Sequence, residues 1–189
     1  PPQPGDDGPS ALTRYNRRVS HRKPTIAVYP GSFDPVHVGH VAIVERAARI
    51  FPKVVVAMLE NTAKNALFST EERVEMMREI WCDDPRVEVT SFTGLLVNYL
   101  RQLDAFVVVR GIRAVSDFEY EFMMAQMNRR LDPDVETVFL TPKEEYTYLS
   151  SRLVREVAAL GGDVTGLVPD PVKDRLEARY RKATHPPTR

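Results

Sequence analysis

Five short apolar runs alternate along the chain with longer segments of helical periodicity. The runs cover residues 26–29, 53–59, 86–91, 105–109 and 135–141. They are rich in Val, Ile, Phe and Met, and Pro, Gly, Asp or Asn flank them, so they are read as buried strands. Between the first two runs, Val41, Val44, Ala48 and Phe51 recur at helical spacing, which predicts an amphipathic helix over 38–51. Ser69-Thr70-Glu71-Glu72 has the spacing of a capping box and starts a helix near Thr70 that runs to Trp81. Further helices are expected over 95–103, and over 115–131 with Phe118, Phe122, Ala125 and Met127. Another begins at Ser150 and stops at Gly161-Gly162, a natural C-terminal signal. The last opens at Pro169-Asp170-Pro171 and runs to about Lys182. Strand-helix alternation of this kind predicts an α/β, single-domain, doubly wound (Rossmann-like) parallel sheet of five strands with helices on both faces. The domain is placed at 24–183. Residues 1–23, rich in Pro, Gly, Asp and Arg without periodicity, read as a disordered leader, and 184–189 as a loose tail.

The stretch 25–40 organises the rest. Its apolar run ends at Pro30-Gly31, Asp34-Pro35 is a second turn signal, and a helix is under way by Val41. Ser32, His37 and His40 therefore fall just past the carboxyl end of a strand, where open parallel sheets bind ligands. The unpaired N–H groups of the following helix start suit a phosphate. For His40 taken alone, a solvated or capping role competes with a catalytic one, and Asp34 reads as a turn-capping residue rather than a metal ligand.

Composition narrows the function classes. The chain has 189 residues, 43% hydrophobic and 28% charged, an ordinary globular balance. Lys plus Arg and Asp plus Glu number 26 each, so no global charge draws it to nucleic acid or a membrane surface, and any anion site must be local. The one cysteine, Cys82, excludes an internal disulfide and suits a reducing cytoplasm. No apolar run approaches a membrane span, and the first residues carry no apolar signal core, which argues against secretion.

Polar groups follow the other strand ends as well: Lys64, Arg110 with Arg113, and Ser150 with Ser151. In this architecture they face one crevice and make it anion-seeking. Individually, Lys64 could be a solvated loop lysine, and Arg110 and Arg113 could pair with Asp117 or Glu121.

Gly31-Ser32-Phe33-Asp34-Pro35 followed by His37-Val38-Gly39-His40 resembles the signature of the H-x-G-H nucleotidyltransferase superfamily. The run Arg110-Gly111-Ile112-Arg113 to Asp117-Phe118-Glu119-Tyr120-Glu121, with Met127-Asn128-Arg129, resembles the phosphopantetheine adenylyltransferase family. So does Tyr146-Thr147-Tyr148-Leu149-Ser150-Ser151. The resemblance spans about residues 25 to 182. It implies an enzyme that transfers the adenylyl group of ATP to 4′-phosphopantetheine, giving dephospho-coenzyme A and pyrophosphate, with Mg²⁺ held by phosphates and water. Alternatives are another adenylyl- or cytidylyltransferase of the same fold, such as the nicotinate-mononucleotide type, and a non-catalytic nucleotide sensor.

The resemblance also implies roles, residue by residue. His40, Lys64, Arg113 and Ser151 would serve the transfer itself. ATP would meet Ser32, Phe33, His40, Gly111, Ile112, Arg113, Glu121 and the segment Tyr146, Thr147, Tyr148, Leu149, Ser150, Ser151, Arg152. The acceptor would meet Ser32, Lys64, Leu96 and Arg110. Arg152 stands where the family often has a third serine, and either adds a phosphate contact or points outward. Tyr146 stands where many relatives have tryptophan, and stacking should survive that change. A cytoplasmic homohexamer with coenzyme A as feedback ligand is implied too.

Overall fold

In a computed structural model the chain is described at residues 23, 25–60 and 66–184. The expected leader, apart from Lys23, and the expected tail, apart from Thr184, lie outside the described residues, as does Lys64. The strands are β1 (Ile26–Gly31), β2 (Lys53–Leu59), β3 (Val87–Phe92), β4 (Val107–Gly111) and β5 (Glu136–Leu140). The helices are α1 (Val38–Ile50), α2 (Thr70–Ile80), α3 (Leu96–Gln102), α4 (Val115–Leu131), α5 (Ser151–Ala159) and α6 (Asp170–Thr184). A short 3₁₀ turn, Glu144–Tyr146, precedes α5 and was not expected from the pattern.

All neighbouring strands pair in parallel, in the order β3-β2-β1-β4-β5. The chain builds outward from β1 to β3, then returns to the other side of β1 with β4. The switch of direction lies between β1 and β4, and a crevice opens there at the carboxyl ends of the strands. Pairing of β1 with β4 covers only Ala27↔Val107 and Val28↔Val108, whereas pairing with β2 continues to Gly31↔Met58. So β1 runs two residues beyond its expected end, through Pro30-Gly31. A proline is tolerated because that side of β1 has already parted from β4.

The two-residue period of the strands sorts the core into two layers. Ala27, Tyr29, Val54, Val56, Met58, Val107 and Val109 face α1, α2, α5 and α6, with Val44, Met76, Met77, Val154 and Leu176 fully or almost fully enclosed. Val28, Val55, Ala57 and Val108 face α3, where Val97 and Leu100 pack on them. The second layer is thinner, and α4 beside it leaves Phe118, Tyr120, Phe122, Met123 and Met127 exposed.

α2 begins as its spacing predicts. The Ser69 hydroxyl accepts from Glu72 N–H at 3.2 Å and the Glu72 carboxylate accepts from Ser69 N–H at 2.8 Å. The first residue of α5 is Ser151, with Ser150 as N-cap accepting from Leu153 N–H at 3.1 Å. No helix among the described residues is long and apolar enough to cross a membrane.

Candidate active site

The crevice between the ends of β1 and β4 contains a cavity of about 280 Å³. β1 and its turn contribute Tyr29, Ser32 and Phe33; α1 contributes His40; β4 and its turn contribute Arg110, Gly111 and Arg113; and the start of α5 contributes Ser150 and Ser151. Glu121 and Asp117 reach in from α4. Three of the four segments that sequence spacing assigned to one crevice therefore meet, and the fourth, at Lys64, lies outside the described residues.

The two histidines are stacked, with ring centroids 3.7 Å apart. His40 Nδ1 accepts from the His37 backbone N–H at 3.2 Å. A neutral imidazole that accepts at Nδ1 carries its proton on Nε2, so His40 has one donor left to offer. Burial, then the neighbouring His37, Arg113 and Arg110, hold its pKa well below 6.5. Burial and Arg113 push the His37 pKa down to about 4. Both rings are neutral near neutral pH, so the N–H left on His40 is an uncharged donor. His37 is buried and its Nδ1 lacks a hydrogen-bond partner. Gly39 makes this stack possible, because a Cβ there would stand 3.0 Å from the His37 ring.

Phe33 takes φ 46°, a left-handed conformation that is uncommon outside glycine. Its ring packs edge-on to Tyr29 and His40, with centroids 5.3 and 5.0 Å away. Gly31 accommodates that ring, since a Cβ would lie 2.6 Å from it. Burial raises the Tyr29 hydroxyl pKa far above its usual value, so it stays protonated at the cavity wall.

Both arginines are engaged by carboxylates one helical turn apart on α4. Arg110 Nε and Nη2 each donate to Glu121 at 2.5 Å, and Nη1 donates to the Pro30 carbonyl at 2.6 Å. Burial opposes the Arg110 charge, but Glu121 outweighs it and raises the guanidinium pKa. Arg113 forks onto Asp117 at 2.9 and 3.1 Å, and Nη1 donates to the Leu149 carbonyl. That pairing holds Asp117 below the usual carboxylate range. Salt bridging and site lining, weighed as competitors from sequence, are combined here: the pairs fix the fork geometry while both arginines line the cavity.

The late segment divides. Ser150 and Ser151 line the cavity, and the Ser151 hydroxyl donates to the Pro35 carbonyl at 2.8 Å, so the donors that the start of α5 still has to offer include its unpaired N–H groups. Leu149 is buried and contributes its carbonyl to Arg113. Tyr146 is half-buried beside Gly39. Ile112 extends the sheet by donating to Leu140 at 2.9 Å. Thr147 turns its hydroxyl to the Glu144 carbonyl, and Tyr148 is 62% exposed. Arg152 points outward and pairs with Glu156 at 2.8 Å.

A second hollow of about 410 Å³ adjoins the first. Leu59, Phe92, Leu95, Leu96, Met124 and Met127 make its walls largely apolar, and it shares Pro30, Gly31, Ser32, Arg110 and Glu121 with the polar cavity.

Comparison with known proteins adds to this geometry. Residues 28–157 match the Cytidylyltransferase-like family. Proteins named phosphopantetheine adenylyltransferase align over nearly their whole length. The one from Geotalea daltonii is 53% identical over 83% of this chain and 98% of its own. That from Aromatoleum aromaticum is 56% identical over 82% and 94%, and that from Caldanaerobacter subterraneus is 50% identical over 84% and 99%. The chain belongs to the phosphopantetheine adenylyltransferase family. The five-stranded parallel sheet with its flanking helices is the α/β nucleotidyltransferase fold.

Three residues that tie the turn after β1 to its surroundings were not legible as such. Arg73 of α2 is buried and donates to the Ser32 carbonyl at 2.6 Å. Arg155 of α5 donates to Asp34, both to its carbonyl and to its carboxylate. Asp34 caps a distant segment rather than its own turn, accepting from Leu67 and Phe68 N–H at 2.8 and 3.0 Å. The only sequence signal for Arg155 is its place four residues after Ser151, on the same helix face.

Proposed function

We propose that the protein transfers the adenylyl group of ATP to 4′-phosphopantetheine, releasing pyrophosphate and giving dephospho-coenzyme A. The observation that carries this reading is the two-part crevice: a polar, cation-lined cavity joined through Ser32 and Arg110 to an apolar groove. ATP suits the polar part. An acceptor with a phosphate head and a long uncharged arm suits the junction and the groove.

The attacking group is already a phosphate anion, so the transfer needs no protein nucleophile and no strong base. One acceptor phosphate oxygen attacks the α-phosphorus as the bond to the bridging oxygen of the pyrophosphate breaks, and the electron pair leaves with pyrophosphate. His40 donates from Nε2 to the α-phosphate region as charge builds there. Arg113 and the N–H groups at Ser150 and Ser151 face the triphosphate, with Ser32, Phe33, Gly111, Ile112, Glu121 and the 146–149 segment around the nucleotide. Arg110, with Lys64, receives the acceptor phosphate, and Leu96 meets the arm. Fixed donors of this kind act by positioning and electrostatic stabilisation.

Among the described residues no three His, Cys, Asp or Glu side chains cluster, and the cavity's Asp117 and Glu121 are committed to guanidinium groups. That donor set fits Mg²⁺ carried in on phosphates and water rather than caged by protein. When bound, the ion neutralises charge on the departing pyrophosphate. The family resemblance extends the reading to a cytoplasmic homohexamer with coenzyme A as a feedback ligand. The exposed apolar residues of α4 support an assembly, and light scattering at six times the chain mass would bear on it.

A coupled pyrophosphate assay tests the function. ATP with 4′-phosphopantetheine should release pyrophosphate at a rate at least a hundredfold above nicotinate mononucleotide or glycerol phosphate. Equal rates with all three acceptors, or ATP binding without release, would reject it.

A further inference from the structure

The turn that carries Ser32 and leads into His40 has no ladder bonds of its own beyond Gly31, yet three side chains from two helices hold three of its carbonyls. Arg73 holds Ser32 O, Arg155 holds Asp34 O and Ser151 holds Pro35 O at 2.8 Å. Ser151 and Arg155 are one turn apart on α5 and so act from one face. Asp34 is buried, and its carboxylate is satisfied on both oxygens, by Leu67 N–H, Phe68 N–H and Arg155 Nη1 at 3.1 Å. It does not border the nucleotide cavity. Asp34 therefore sits where three elements converge: the turn after β1, the entry to α2 and the flank of α5.

We propose that Asp34 and Arg155 are a positioning pair for the transfer, seating the Ser32–His40 turn on α5 so that His40 and the α5 N-terminus are held on the same phosphate. Neither residue touches substrate. The pair fixes the spacing between two groups that do, and a displacement of about 1 Å in such a site lowers the rate on the order of a hundredfold. Arg155 is the better place to test this, because its side chain is 32% exposed and its loss leaves Asp34 two backbone donors.

This inference rests on the proposed function, so the experiment includes a readout that does not need turnover. In Arg155→Met, kcat should fall about tenfold or more while KM for ATP and for 4′-phosphopantetheine stays within threefold. Arg155→Lys should recover part of the loss. In a His40→Ala background, Arg155→Met should cost little further, because its effect passes through His40. The imidazole NMR signals of His40, assigned by their loss in His40→Ala, should shift in Arg155→Met. They should stay in place in Arg175→Met, which breaks a comparable ion pair between α6 and α2 (Arg175 to Glu79, 2.5 Å). Failure of the wild-type protein to use 4′-phosphopantetheine would reject the function alone, and the NMR shift would still decide the positioning role. An Arg155→Met protein that fails to fold, one with kcat within twofold and unmoved His40 signals, or an equal further loss in His40→Ala would overturn the proposal.

Discussion

The polar cavity and the apolar groove share a wall but are built on opposite principles. In the cavity the charged groups and the His40 ring are oriented before a substrate arrives. Arg110 is forked on Glu121, Arg113 on Asp117, and His40 is fixed by the His37 amide. The groove is walled by Met124, Met127, Leu95 and Leu96, flexible side chains that no hydrogen bond orients. The difference teaches where rate and affinity should separate. Preorganised donors lower a barrier because they need no rearrangement as charge develops. Adaptable apolar walls bind by area and act on substrate and transition state alike, which changes KM and leaves kcat in place.

Substitutions can sharpen or break that contrast. His40→Ala should fold normally and lose on the order of a hundredfold or more in kcat. A rate near normal in the pyrophosphate assay would remove the cavity's principal donor from the account. Asp117→Asn keeps the shape but frees Arg113 from its fork. It should lower kcat/KM for ATP about tenfold, on the order of 1.4 kcal/mol, with acceptor KM unchanged. On the groove side, Leu96→Ser should raise the KM for 4′-phosphopantetheine about fivefold, in keeping with the loss of one partly buried aliphatic side chain. Its kcat and its KM for ATP should not move, and a fall in kcat would mean the two halves are not separable.

The smallest effect concerns stability. His37 has a folded-state pKa of about 4 against 6.5 in the free side chain. Well above pH 6.5 neither state binds the proton. As pH falls from 6.5 towards 4, the unfolded chain takes it up and the folded chain does not, so stability declines across that window. At pH 5.5 the decline from this one group is about 1 kcal/mol. Urea unfolding of His37→Gln should show a correspondingly shallower loss between pH 7 and 5.5, and an unchanged slope would place the titration elsewhere.

The same contrast separates what was legible in the sequence. Strands and helices announced themselves by period and by punctuation, and the capping box at Ser69 marked the start of α2 to the residue. The cavity was legible because parallel strand ends converge, so Ser32, His40, Arg110, Arg113 and Ser151 could be placed together from spacing and resemblance. The groove was marked only at Leu96, and only through the resemblance, because Met127 on its helix reads as one of a packing stripe until the thin layer on that side of the sheet leaves it exposed. Tyr148 falls within a matching motif yet faces solvent, as does Arg152 just after it, since a motif gives the order of residues and not their rotation about the chain. Asp34 was read as capping its own turn. Its partners are Leu67, Phe68 and Arg155, and contacts at such sequence separations leave no periodic trace.

The central claim is that two anchored polyanions react directly, with His40 as donor and no covalent adenylyl-enzyme. The most direct measurement is the stereochemical course of transfer from ATP carrying a chiral α-phosphorothioate. The account predicts inversion at phosphorus in the dephospho-coenzyme A product, from a single in-line displacement. Retention would require two displacements through a protein nucleophile and would contradict it.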